Sequence, residues 1–216
     1  MRPGTASCLL VVSLLAGCSS KNTPAPADPK TERTAPGGAL ESAESFGAIG
    51  DRTRRSQALF TEMAKVLLHP RCVNCHPTDD RPRQGMAQEI HEPPVWRGPS
   101  GEGEPGAPCS GCHQAENSAT IRVPGAPGWH LAPVEMGWLG VDAAGVCAQL
   151  KDNARNGGLT LEQVHEHVAN DPLVAWGWSP GHDREPAPGT QAQFAALTRA
   201  WIDSGAACPD ARGGTP

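Results

Sequence analysis

Along this chain the apolar residues recur at helical spacing in only a few places. Leu59, Phe60, Met63, Val66 and Leu67 form one face of a helix that Asp51 can cap and that Pro70 must stop. A short helix is predicted over 143–151. Thr160, followed three residues later by Gln163, has the spacing of a capping box and opens a helix running to Asn170. Thr190 and Gln193 repeat that device for a last helix, with Phe194, Leu197, Trp201 and Ile202 as its buried face and Gly205 as the glycine that ends it. Residues 77–108 and 122–142 are dense in Pro, Gly and charge and read as irregular loops, and no strand pattern emerges. The expected fold class is mainly α with extensive irregular loops.

The N-terminus follows different rules. Arg2 precedes an apolar run from Leu9 to Ala16, eight residues and too short to anchor in a bilayer. It ends in Leu15-Ala16-Gly17-Cys18, which resembles the lipobox of bacterial lipoproteins. That resemblance implies a signal peptide over 1–17, acylation of Cys18 and membrane attachment through the N-terminal lipid, an ordinary signal peptide cut near Ala16 being the alternative. Ser19, rather than Asp, leans towards the outer membrane. The expected location is the bacterial cell envelope, facing the periplasm. Residues 18–50 are Ser, Pro, Ala, Gly, Thr and charges, and read as a flexible tether of roughly 30 Å root-mean-square reach. The folded domain is then expected over 51–210.

Composition sharpens the problem such a domain must solve. The chain of 216 residues holds 25 Gly, 22 Pro, six Trp, three Phe and no Tyr. So much loop and so few large side chains leave a small core, which calls for a cofactor, a metal or disulfides. The net charge of −5, without a Lys/Arg cluster, excludes nucleic acid as a partner class.

The cysteines supply the candidate chemistry. Cys72-Val73-Asn74-Cys75-His76 and Cys109-Ser110-Gly111-Cys112-His113 are two C-x-x-C-H motifs. On a helical turn, two thiols three positions apart reach the two vinyl groups of one porphyrin edge, and the next histidine meets the iron. Covalent attachment removes the need for a large apolar pocket. Two alternatives use the same thiols: a four-thiolate zinc site across the 33 residues between Cys75 and Cys109, or two disulfides. Neither accounts for a histidine after each pair.

The chain resembles a dihaem c-type cytochrome through residues 72–76 and 109–113. The runs His69 to Pro77, Trp129 to Pro133 and Trp176 to Gly181 are similar to cytochrome-like proteins, some linked to an isoquinoline oxidoreductase. The resemblance implies a compact dihaem cytochrome c-like domain, two haem c cofactors on Cys72, Cys75, Cys109 and Cys112, and His76 and His113 as proximal iron ligands. The link to the oxidoreductase implies electrons taken from a molybdenum hydroxylase. Cys147 and Cys208, 61 apart, are left to form a disulfide, two separate buried thiols being the alternative.

The distal ligand is more open. The candidates rank as His91, which lies between the motifs, then Met136 and His130 in the loop flanked by Trp129 and Trp138, then His182 beside Asp183. His69 is badly placed for its own haem, and Met63 reads as core. His165 and His167 fall about 65° and 95° from the centre of the stripe set by Leu161, Val164 and Val168, and read as surface. The expected function is electron transfer between redox donor and acceptor proteins. A peroxidase-like enzyme with one open iron is the second reading, and a zinc or disulfide-stabilised binding module the third.

Overall fold

The computed structural model describes Met1 and residues 38–211. Residues 2–37, which hold the rest of the expected signal segment, Cys18 and the tether as far as residue 37, lie outside the described residues. Among the described residues no helix is long and apolar enough to cross a membrane.

Helix α1 (Arg52–Leu67) is capped by Asp51, whose carboxylate accepts from the Arg54 amide. Leu59, Phe60, Met63, Val66 and Leu67 are all buried, as the spacing predicts. After Leu68 a separate short helix, α2 (Pro70–Val73), begins with Pro70 in its first turn and the His69 ring accepting from the Arg71 amide. Helix α3 (Ala143–Lys151) has the predicted bounds. Helix α4 (Leu161–Asn170) carries the complete capping box of Thr160 and Gln163. A short helix, α5 (Pro172–Ala175), and a 3-10 turn over Trp176–Trp178 follow it; the sequence pattern is too brief to announce either.

Helix α6 (Gln191–Asp203) is capped by Thr190 and closes in a Schellman motif. The Gly205 amide donates to Ile202 and the Ala206 amide to Trp201, with Gly205 at φ +105°. Phe194, Leu197 and Trp201 are buried, whereas Ile202 is only half-buried.

The core forms where α6 packs on α1, with α3 and α4 alongside. Trp201 and Phe60 meet at its centre, ring centroids 5.1 Å apart. The Cys147–Cys208 disulfide joins α3 to the segment after α6, with Cα atoms 5.6 Å apart.

Two expectations are corrected. The tether does not extend to residue 50. Leu40 and Phe46 are buried in the core, Phe46 within a 3-10 turn over Ala43–Ala48, and buried Glu62 accepts from the Glu41 amide and pairs with Lys65. Apolar residues six apart have neither helical nor strand periodicity, so their docking leaves no local signal. The loop 77–108 is not wholly irregular. It holds two antiparallel strand pairs: β1 (Arg83–Gln84) with β2 (Glu89–Ile90), and β3 (Gly103–Glu104) with β4 (Ala107–Pro108). Two-residue strands are too short to show alternation.

Two stability measurements check this packing. Phe46→Ala should cost about 3 kcal/mol in urea unfolding, as truncation of a buried phenylalanine does; no change would restore the longer tether. Replacing Cys147 and Cys208 together with Ser should cost about 4 kcal/mol, from the loop-closure entropy of the 61-residue separation.

Candidate functional site

Both C-x-x-C-H motifs fold as helical turns. The first begins in α2 and continues through hydrogen bonds from the Cys75 amide to Cys72 and from the His76 amide to Val73. The second follows β4 directly as a 3-10 turn over Cys109–Gly111, with the Cys112 and His113 amides both donating to the Cys109 carbonyl. All four motif cysteines are free thiols. Burial pushes the Cys72 thiol up to about 12 and the Cys75 thiol up to about 11, with proximity to Cys109 adding to the latter. Groups held so firmly as thiols do not suit thiol exchange, which works through the thiolate.

Each motif histidine is held in the same way. The His76 Nδ1 donates to the Met136 carbonyl at 2.8 Å, and the ring lies flat on Trp138, centroids 3.5 Å apart at 7°. The His113 Nδ1 donates to the Pro124 carbonyl at 2.7 Å, and its ring lies on Trp129 at 4.4 Å and 6°. A carbonyl can only accept, so Nδ1 carries the proton and Nε2 keeps its lone pair. Neither Nε2 has a hydrogen-bond partner among the described residues. Burial lowers both imidazoles, that of His76 to about 4, so they are neutral at pH 7 and in the form that binds metals.

In each clasp a glycine directly follows the accepting carbonyl, and its missing Cβ allows the approach. A Cβ on Gly137 would stand 2.7 Å from the Thr78 Cα and 2.9 Å from the Pro77 oxygen, just beyond His76. One on Gly125 would stand 2.4 Å from the Gln114 oxygen and 2.3 Å from that of Glu116, just beyond His113. Further bonds seat the returning segments. The Ala132 amide donates to Cys75 and the Trp138 amide to His76. The buried Arg97 guanidinium joins the carbonyls of Pro77 and Asp79 to that of Ala132. Asn117 accepts from both the Gly125 amide and the Trp176 indole.

Beside each clasp lies a cavity of ligand-site size. The first, about 320 Å³, is lined by Cys72, Cys75, His76 and a mostly apolar wall from α1, α4, α5 and α6. The second, about 470 Å³, is lined by Cys75, Cys109, Cys112, His113 and His91. Arg71, Cys75, His130 and Trp176 line both, so the cavities share a wall.

The four ranked distal candidates separate. His91 lies in the second cavity, its ring centroid 5.9 Å from that of His113 and its Nδ1 on the Pro93 carbonyl at 2.9 Å. Met136 lines the first cavity, and its carbonyl is committed to the His76 Nδ1. His130 stands at the shared wall, its Nδ1 against the Gly128 carbonyl. His182 lines neither cavity. Its Nε2 donates to the Ser118 carbonyl at 2.9 Å, and Asp183 pairs with Arg122 instead of orienting it. His167 is exposed, as the helical projection expects, and it also lines the first cavity.

Gly125→Ala and Gly137→Ala should each destabilise the chain by about 2 kcal/mol, the usual cost of overpacking. Urea unfolding measures this, and a neutral result would mean that the clasp segments yield freely.

Comparison with known proteins gives no match, whether to a family model, a curated protein or a solved structure. The site is therefore read from its own geometry.

Proposed function

We propose that this chain is an electron-transfer protein of the bacterial cell envelope, lipid-anchored through Cys18, carrying two covalently attached haems c. The recurrence of one clasp around both motif histidines carries this reading. Each motif offers two thiols on a helical turn and a neutral imidazole with one nitrogen pinned and the other free beside a cavity its cysteines line.

The residues present fit the group. His91 and His113 both line the second cavity, with ring centroids 5.9 Å apart, and could both serve a metal held there. Cys72, Cys75 and His76 would hold the first haem, and Cys109, Cys112, His113 and His91 the second. Arg71, buried between the two cavities with its Nε on the Glu185 carbonyl, would place a positive charge beside both groups. The zinc reading finds less support, because among the described residues no group of three or more His, Cys, Asp or Glu side chains is arranged to hold a metal ion.

Each haem, when bound, supplies a one-electron Fe(III)/Fe(II) couple. The chain's own part is to fix the ligand rings through the Met136, Pro124 and Pro93 carbonyls, to keep water from the buried faces, and to bring the two sites against one wall. One electron arrives from a donor protein, which is oxidised, and leaves to an acceptor, which is reduced. No bond is made or broken, so no catalytic base is needed.

The test is a haem count on chain produced in a host with c-haem maturation. Haemochrome absorbance against protein mass should give two haems per chain, and Cys109→Ala with Cys112→Ala should leave one. A colourless protein would overturn the proposal. A rapid spectral change of one haem on adding cyanide would favour the peroxidase-like enzyme over transfer.

A further inference from the structure

We infer that His167 is the distal ligand of the iron held by His76, with Asp171 as its positioning residue. This rests on the dihaem reading above.

His167 stands on α4 between Val164 and Val168, and all three line the first cavity. Its Nδ1 lies 3.2 Å from Asp171 Oδ2, one helical turn on. Asp171 is itself fixed: it ends α4 and caps α5, where its Oδ1 accepts from the Leu173 amide at 2.7 Å and from the Val174 amide at 3.4 Å. One carboxylate oxygen thus anchors the chain and the other faces the imidazole. That is the carboxylate–histidine arrangement that orients metal-binding rings, sets the tautomer with Nε2 unprotonated, and raises ligand basicity. His76, His113 and His91 have Nδ1 hydrogen-bonded to backbone carbonyls, and His167 has its Nδ1 beside a carboxylate.

The other donors at this cavity are placed less well. Met136 backs the proximal ring, Met63 is buried in the core of α1, and His130 sits where the two cavities meet. His167 lines the cavity with its side chain 46% exposed, so a group filling the cavity meets it without unpacking the core. A carboxylate partner would make an iron-bound His167 a stronger electron donor than a ring held by a carbonyl, and so would lower the potential of that haem.

The haem-loaded full chain provides the test, through electron paramagnetic resonance and redox titration. Wild type should show two low-spin ferric haems. His167→Gly should keep two covalent haems but turn one high-spin, and added imidazole should return it to low spin. Asp171→Asn should stay low-spin and raise one midpoint potential while leaving the other. His130→Gly should leave both haems low-spin. Should His167→Gly fail to fold, His167→Met should show one low-spin haem with thioether ligation. Two low-spin haems in His167→Gly without imidazole, an unaltered spectrum in His167→Met, or a high-spin haem in His130→Gly would overturn the inference alone. Wild type without covalent haem would instead overturn the reading beneath it.

Discussion

An imidazole has two nitrogens, and committing one defines the other. That constraint organises the loop-rich half of this protein. His76 and His113 each give Nδ1 to a backbone carbonyl, and the carbonyls come from Met136 and Pro124, 60 and 11 residues further on. The chain must therefore return to each motif after very different excursions. It does so by one device: a carbonyl, a glycine that lies against the backbone just beyond the histidine, and a tryptophan that covers the ring. Gly98, Gly101, Gly103, Gly125 and Gly137 in these stretches lie where a Cβ would collide with the backbone of another segment or turn.

The helical half serves as the frame. α1 and α6 bury the large apolar residues against each other, and the disulfide and the docked segment around Phe46 close the frame at its ends. This core does not reach the loops unaided. Met63, Leu67, Val164, Val168 and Phe194 turn part of their surface to the first cavity, so core and cavity are continuous. In the proposed reading a haem completes that apolar surface. A group that binds only the folded chain also stabilises it, which suits a sequence poor in large side chains.

The wall formed by Arg71, Cys75, His130 and Trp176 gives the two sites a common boundary. Trp176 stands edge-on to Trp129 at 5.0 Å, donates to Asn117 and faces both cavities, so the packing around one histidine is tied to the space beside the other. In the proposed reading, a shared wall would shorten the path between the two groups without any residue acting as a chemical intermediate.

Much of the helical frame was legible because its signals are local. Caps at Asp51, Thr160 and Thr190 and the glycine at 205 act within four or five residues, and the α1 stripe is a simple period. The motifs at 72–76 and 109–113 were equally plain, as were the two cysteines left to pair. The docking of Leu40 and Phe46 was not, since two isolated apolar residues specify no partner. Nor was the cavity beside His167: the stripe drawn from Leu161, Val164 and Val168 leaves this residue on the exposed flank, where it lies, but only the fold brings α5 and the turn after it alongside. The Met136 carbonyl that holds His76 was not legible either, since every residue has a carbonyl and no sequence distinguishes it. The sequence by itself determined which residues carry the chemistry and where the helices begin and end, through contacts a few residues long. Only the tertiary structure decided which carbonyl holds each ring, which glycine must be bare and which histidine faces a cavity, because those depend on segments that meet across tens of residues.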